Sequence, residues 1–325
     1  MANPNLLKIP VQKSAANPAM PRTRPIWSLR RSEIVWGYLF MIPFVVLVCV
    51  FTLYPILGSL RITLYNWNGL DNPTQFVGLR HFAEVAKDPY FWNAFKNTVV
   101  YTAVLVPVQL TLALLLALVL NNAKMRFRTF YRTVYFLPVV TSLAIGAIAV
   151  RLMLGRGGAQ ISELFGIDPP ISPIASPQFA LPSVILFGIW HSFGINLVYF
   201  LAALQTVPEE LYDAAKVDGA NGNQRLLYIT LPTIRPLATI IVFFAILGSL
   251  QVFEQSFVLT GGGPFFASEV VSGYIYSYAF GGSAVGRSVS SVNIGYASAT
   301  SLFMSLVVLG ITIIQAVVLR RTRKA

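Results

Sequence analysis

The sequence predicts an all-α membrane protein built on six transmembrane helices, and three observations carry that prediction. Of the 325 residues, 55% are hydrophobic and only 11% are charged, against about 25% charged in a typical soluble domain. Six apolar stretches, at 35–58, 98–121, 131–153, 180–206, 237–259 and 294–319, each reach the roughly 20 residues a helix needs to cross the hydrocarbon core. The 24 Lys and Arg residues flank these stretches instead of forming one patch or stripe. The net charge of +12 therefore speaks for a lipid bilayer and not for nucleic acid. A backbone in lipid must satisfy its own hydrogen bonds, which requires helices here, because none of the runs alternates as a membrane β-barrel strand does.

Taken in order, residues 1–32 carry six Lys/Arg, no acid and five prolines, a composition that predicts a disordered basic tail. They lack the apolar core and small-residue cleavage site of a signal peptide, so the tail is expected to be retained. The tail, the 2–3 loop, the 4–5 loop and the C-terminus hold six, four, three and four Lys/Arg, and the other three loops hold seven together. The asymmetry predicts both termini in the cytosol. Trp36, Trp92, Tyr101 and Tyr296 sit near span ends, where aromatic rings suit the headgroup level. The loop 61–96 is long and aromatic and is expected to fold over the outer mouth. Gly261, Gly262, Gly263 and Pro264 signal a turn just past the fifth span. Cys49 stands alone, and His81 and His191 have no ligand spacing to anything, so neither a disulfide framework nor a metal site is expected.

The 4–5 loop is the informative segment. Pro208 suits a helix start and Glu209 and Glu210 suit its positive end. Leu211, Ala214, Ala215 and Val217 then give a narrow small-and-apolar face, which Gly219 ends. A second short helix is expected near 223–230, running into Leu231-Pro232. An Ala-lined pair of short helices makes a knob suited to a partner's groove. Gly281 to Ser288 has the spacing of a phosphate-binding loop but offers Arg287 for the required lysine, and it falls in an outer loop. No arrangement of nucleophile and base, or of paired carboxylates, suggests an enzyme, and no catalytic residue is assigned.

The loop resembles the EAA loop of binding-protein-dependent ABC importer permeases, with Asp213-Ala214-Ala215, Asp218-Gly219-Ala220 and Ile229-Thr230-Leu231-Pro232 at the matching positions. Asp213 replaces the usual glutamate, one methylene shorter. The likeness extends over about 35–320. Phe127-Arg128-Thr129 with Tyr135-Phe136-Leu137-Pro138, Phe76-Val77-Gly78-Leu79 with Asp88 to Trp92 and Asn97-Thr98, and Leu259 to Pro264 with Tyr274 to Tyr276 resemble the carbohydrate subfamily of the MalF, UgpA and LacF type. The resemblance implies the type I importer (MetI-like) fold over 33–325 in a bacterial inner membrane. It implies an ATPase-coupling role for Glu210, Asp213, Ala214, Ala215, Asp218, Gly219, Ala220, Leu231 and Pro232. It further implies a second homologous permease subunit as heterodimer partner, an ATPase dimer that alone holds ATP and Mg, and an extracytoplasmic solute-binding protein. No cofactor is expected on this chain.

The solute path is sought among polar groups inside spans, which are costly in lipid and so face a cavity or another helix. Gln251, Glu254 and Gln255 fall at i, i+3 and i+4, with Gly248 a turn earlier. Ser192, Asn196 and Tyr199 share a face beside Gly194, just after Trp190. Amides, hydroxyls and rings suit a saccharide. Glycerol phosphate, a polyol or an acidic saccharide is the alternative cargo. Interhelical hydrogen bonding is the competing use of the same side chains. An ion-driven transporter is the rival class, but neither broken helices nor internal repeats are evident in the sequence.

Overall fold

The first helix of the computed structural model, α1 (Ile26–Val48), starts immediately after Pro25. The expected tail is therefore helical from Ile26, because no proline or glycine falls between Pro25 and Gly37; residues 1–25 lie outside the described residues, which are 26–70, 72–73, 75–122, 125–164, 166, 172–284, 287–289 and 292–322. A π turn at Cys49–Leu53 leads into α2 (Tyr54–Ile62). The helix Glu33–Ile62 carries charge only near its ends, at Glu33 and Arg61, and 0% of its apolar window is buried, a pattern that suits contact with lipid. The chain divides into two units at this helix, residues 1–57 and 58–325.

In the second unit, strands β1 (Tyr65–Asn66) and β2 (Gln75–Phe76) pair antiparallel, and α3 (Arg80–Lys87) follows. Helix α4 (Pro89–Leu120) is N-capped by Asp88, whose carboxylate accepts from Tyr90 N at 2.8 Å. The expected third span is broken. Helix α5 (Arg128–Val140) stops where Thr141 and Ser142 take extended backbone, and α6 (Leu143–Leu152) leaves at 90°. Thr141 Oγ1 donates to the Pro138 carbonyl at 2.7 Å, an alternative to the helix that Thr and Ser readily offer. Hydropathy cannot register such a bend, because the residues on both sides are apolar. Helix α7 (Gly158–Leu164) lies beyond another π turn, and α8 (Pro177–Leu204) is the fourth span.

Helix α9 (Glu209–Val217) forms as expected. The second short helix does not stand alone. Helix α10 (Gly222–Arg225), a π turn at Leu226–Thr230 and α11 (Leu231–Leu250) make one helix from Gly222 to Leu250. The π turns at 49–53 and 226–230 each end two residues before a proline, Pro55 and Pro232. Proline lacks the N–H for the preceding turn and its ring crowds that carbonyl, so a widened turn keeps the helix continuous.

The fifth span ends at Leu250, earlier than expected. Gln251 and Phe253 (φ −144°, ψ −66°) are non-helical before α12 (Glu254–Leu259). Helix α13 (Val271–Phe280), an antiparallel hairpin of β3 (Gly282–Ala284) and β4 (Arg287–Val289), and α14 (Ile294–Thr322) complete the chain. The hairpin occupies the stretch with phosphate-loop spacing, of which Val285 and Gly286 lie outside the described residues. Among the described residues five helices are long and apolar enough to cross a membrane, six with the bent α5–α6 pair. One core gathers around α4, α8 and α11, with Leu197, Phe200 and Ile234 fully buried; a second joins α3, α4, α13 and α14 around Phe91 and Tyr274.

Candidate functional site

Three arrangements in the second unit bear on function: a polar cavity between spans, the 205–221 loop, and a hydrogen-bonded cap at the opposite end of the helices.

The cavity, about 300 Å³, lies among α4, α8, α11 and α12. Ser192, Asn196, Tyr199, Gly248 and Gln255 line it, so five of the nine expected path residues meet there. Ser192 Oγ is 2.6 Å from both Gln109 Oε1 and the Gly188 carbonyl, and Asn196 Nδ2 donates to the Ser192 carbonyl at 3.2 Å. Counting about 1.5 Å per residue, Gln109 and Ser192 lie some 16–18 Å from the helix ends at Leu120 and Leu204. That is near the middle of a core about 30 Å thick. The break after α11 borders the cavity, and its loose carbonyls are met locally: Ser249 Oγ donates to Ile246 O at 2.9 Å and Gln251 Nε2 to Leu247 O at 3.3 Å. Non-helical backbone at this depth is tolerated where it lines a cavity. The lining carries no charged side chain. Tyr199 and Phe244 also begin an apolar groove of about 490 Å³ that runs between α8 and α11 to Thr206 and Leu237, at the loop end.

The other expected path residues are placed elsewhere. Because α11 stops at Leu250, Gln251, Glu254 and Gln255 do not share a helical face; Gln251 is exposed, and exposed Glu254 opens α12. Gly194 is buried where α8 crosses α5: a Cβ there would lie 3.2 Å from Val139 Cγ2 and would overlap the Tyr135 carbonyl. Trp190 lies beside the Phe187 ring at 5.8 Å. Tyr101, Gln109, Ser249 and Phe244 were not foreseen. Tyr101 was expected at the interface, yet it is 2% exposed and lines the cavity. A lone amide such as Gln109 within an apolar run is the signal that would have found this side of the site.

In the loop, Pro208 is the N-cap of α9, just outside the helix, and Glu209 and Glu210 occupy the first turn. Gly219 (φ 77°) ends it: Gly219 N donates to Lys216 O at 3.1 Å and Ala220 N to Ala215 O at 2.8 Å, the paired bonds of a left-handed helix stop. Asn221 and Gln224 then cap α10 reciprocally, at 2.8 and 2.9 Å. Tyr212 Oη and Thr230 Oγ1, 2.8 Å apart, tie α9 to the long helix. Asp213 pairs with Lys216 at 2.7 Å on the surface, where such a pair contributes little. Asp218, Gly219, Ala220 and Arg225 line a concavity of about 350 Å³ floored by Ala215, and Arg225 Nε is buried without an acceptor. Ala214 and Pro232 are exposed, whereas Leu231 packs into the main core.

The cap joins segments distant in sequence. Asp88 Oδ2 accepts from Tyr274 Oη at 2.6 Å and Tyr296 Oη at 3.2 Å. Burial, then the bond to Asp88, hold the Tyr274 hydroxyl far above its ordinary pKa. Tyr296, expected at the headgroup level, is instead buried in this cluster. Asn97 Nδ2 donates to the carbonyls of Phe266 (3.1 Å) and Glu269 (2.9 Å). Glu269 is 4% exposed, wedged against Gly262 and Gly273, and burial pushes its pKa up to about 7. Among the described residues no group of acids, histidines and cysteines could hold a metal.

Comparison with known proteins follows the same geometry. The family described as binding-protein-dependent transport system inner membrane component matches residues 89–324. The lactose transport system permease protein LacF of Rhizobium radiobacter is 36% identical over 258 residues, 78% of this chain and 86% of that protein. The arabinooligosaccharides transport system permease protein AraP of Bacillus subtilis is 31% identical over 281 residues, 85% of this chain and 86% of that one. A crystal structure of a bacterial ABC transporter that imports the acidic polysaccharide alginate matches with a TM-score of 0.74 at 23% identity, covering 91% of this chain and 98% of that one.

Proposed function

Because the chain belongs to the family of binding-protein-dependent transport system inner membrane components, we propose that its polar cavity carries a neutral saccharide between the two sides of the membrane. The chain is a multi-pass inner-membrane permease of a sugar-importing ABC transporter. The observation that carries the choice of cargo is the lining: hydroxyls, amides and aromatic rings in mid-span, and no charge. Hydroxyls and amides exchange hydrogen bonds with sugar hydroxyls, and Tyr101, Tyr199 and Phe244 offer flat faces. An acidic saccharide or glycerol phosphate would need a cation at this depth, and the wall that this chain contributes supplies none.

The working cycle in this reading is alternating access. A solute-loaded binding protein docks on the outer cap. ATP binding closes an ATPase dimer that grips α9 and the concavity beside it, Arg225 meeting an acceptor there. The helix from Gly222 to Leu250 passes that movement to Gly248 and Ser249, and hydrolysis resets the path. A second, related permease supplies the other wall. ATP and Mg stay with the ATPase, and both termini lie in the cytosol.

The test is reconstitution in vesicles with the second permease, the ATPase and the solute-binding protein, measuring uptake of a labelled neutral disaccharide and of a uronate disaccharide. Neutral uptake is expected to require ATP and to exceed uronate uptake. Gly219→Pro or Ala215→Arg should uncouple hydrolysis from uptake. Uptake that persists without any ATPase would sink the importer reading; preferred uptake of the uronate would sink the neutral cargo alone.

A further inference from the structure

The turn between α12 and α13 holds two consecutive aromatic residues in left-handed backbone, Phe265 (φ 52°, ψ 37°) and Phe266 (φ 59°). That region crowds the Cβ of any L residue, so such a pair persists only where its surroundings fix it. Here they do. The Phe266 carbonyl accepts from Asn93 Nδ2 at 2.8 Å and Asn97 Nδ2 at 3.1 Å, and its ring lies 5.0 Å from that of Tyr90. On the other side Ser256 Oγ donates to the Ser268 carbonyl at 2.6 Å, and the Thr260 and Ser268 hydroxyls are 2.7 Å apart. This buried network holds Phe265 outward, 84% exposed. Glycine would take the same backbone without strain, so an exposed ring at this position calls for a reason outside the turn.

Position supplies one. Asn93 lies near the start of α4, and Gly263 sits against Ala180 near the start of α8. Those two helices carry Gln109 and Ser192 further along, facing the cavity. Phe265 thus stands over the end of the helix pair that forms the path, at the end away from the 205–221 loop. A lateral subunit would pack along the span faces, whereas a protein that delivers solute must settle on this rim.

We propose that Phe265 is the docking anchor for the extracytoplasmic solute-binding protein, its ring entering an apolar recess on that protein's face. The proposal rests on the importer reading above. Buried aromatic anchors held rigid beforehand are where binding strength concentrates in such interfaces.

The test uses the full assembly of both permeases and the ATPase in vesicles, titrated with the solute-binding protein purified with the solute it carries, and reads ATP hydrolysis. Phe265→Gly removes the ring and relieves the left-handed strain together. Its unfolding temperature should equal or exceed that of the wild type, while the half-saturating concentration of binding protein rises about tenfold or more. The rate at saturation should stay within about twofold of the wild type, and Phe265→Trp should keep a half-saturating concentration within about threefold. A Phe265→Gly titration superimposable on the wild type overturns the anchor. So does loss of the second permease from purified Phe265→Gly complexes, which would make the ring a subunit contact. A wild-type assembly that no concentration of binding protein stimulates overturns the importer reading, and the anchor with it.

Discussion

Gly194→Ala and Gly248→Ala add the same methyl group at two glycines that the sequence placed together on the solute path and the structure separates. At Gly194 the new carbon would lie 3.2 Å from Val139 Cγ2 and from the Tyr135 carbonyl carbon, with the carbonyl oxygen closer still. Carbon–carbon contacts settle at about 3.5–4.0 Å, and the obstacle is α5 backbone, which cannot swing aside as a side chain can. Helices α5 and α8 must therefore part by roughly 1 Å, an overpacking that costs about 1–3 kcal/mol. At about 2–4 °C per kcal/mol for large domains, the unfolding temperature of the purified complex should fall by about 2–12 °C, with uptake per folded complex little changed. At Gly248 nothing lies within 4 Å and the methyl enters the cavity. Replacing a helical glycine gains about 0.5–1 kcal/mol, so stability should hold or rise. Uptake should fall about tenfold, the typical effect of one misplaced methyl in a pocket. Thermal unfolding followed by tryptophan fluorescence, together with vesicle uptake, decides the matter. A Gly194→Ala protein that unfolds like the wild type but has lost uptake would refute the placement of Gly194 as a packing residue.

Two further predictions concern the cap. Asp88→Ala removes the acceptor for Tyr274, Tyr296 and Tyr90 N; with bonds to a charged group contributing about 1.5–3 kcal/mol each, thermal unfolding should drop by about 10 °C or more, and less for Asp88→Asn, which still accepts from Tyr90. Equal stability of the two variants would show that the charge is immaterial there. Glu269 has a folded pKa of about 7 against an ordinary 4.5, so the folded state holds its proton longer. Its contribution is intact below pH 4.5, declines as the pH rises to about 7 and is flat beyond. The decline is worth at most about 3 kcal/mol, and Glu269→Gln should abolish it in unfolding curves collected between pH 4.5 and 8.

What the sequence could disclose follows the range of the forces involved. Gly219 was legible because a left-handed helix stop is local: the residue and the two closing bonds fall within six residues, at the end of a nine-residue helix. The spans were legible because burial in lipid depends on composition along a run. The breaks at Thr141–Ser142 and Gln251–Phe253 were not: hydropathy carries no direction, apolar residues resume after the first, and Gln251, Glu254 and Gln255 at the second have the spacing of one continuous helix face. That also removes broken helices as an argument against an ion-driven carrier; the family match takes its place. Tyr101 and Tyr296 were read as interfacial from their distance to span ends, yet Tyr101 points at Gly188 of α8 and Tyr296 at Asp88. Pairings across 87 and 208 residues are tertiary facts that no local pattern encodes.

In the proposed cycle, the unbroken helix from Gly222 to Leu250 sets the phase between drive and cargo. Its 29 residues span about 43 Å, and a tilt of about 10° about the loop end would carry Gly248 through about 7 Å. Because a helix advances by about 100° per residue, one residue inserted or deleted between Asn221 and Gly248 would turn Gly248 and Ser249 away from the cavity while leaving the loop intact. Length in this stretch is therefore constrained more tightly than composition. On the proposed reading the cavity can be re-lined for a different sugar by substitution, but every such change must keep the same count of residues back to the loop.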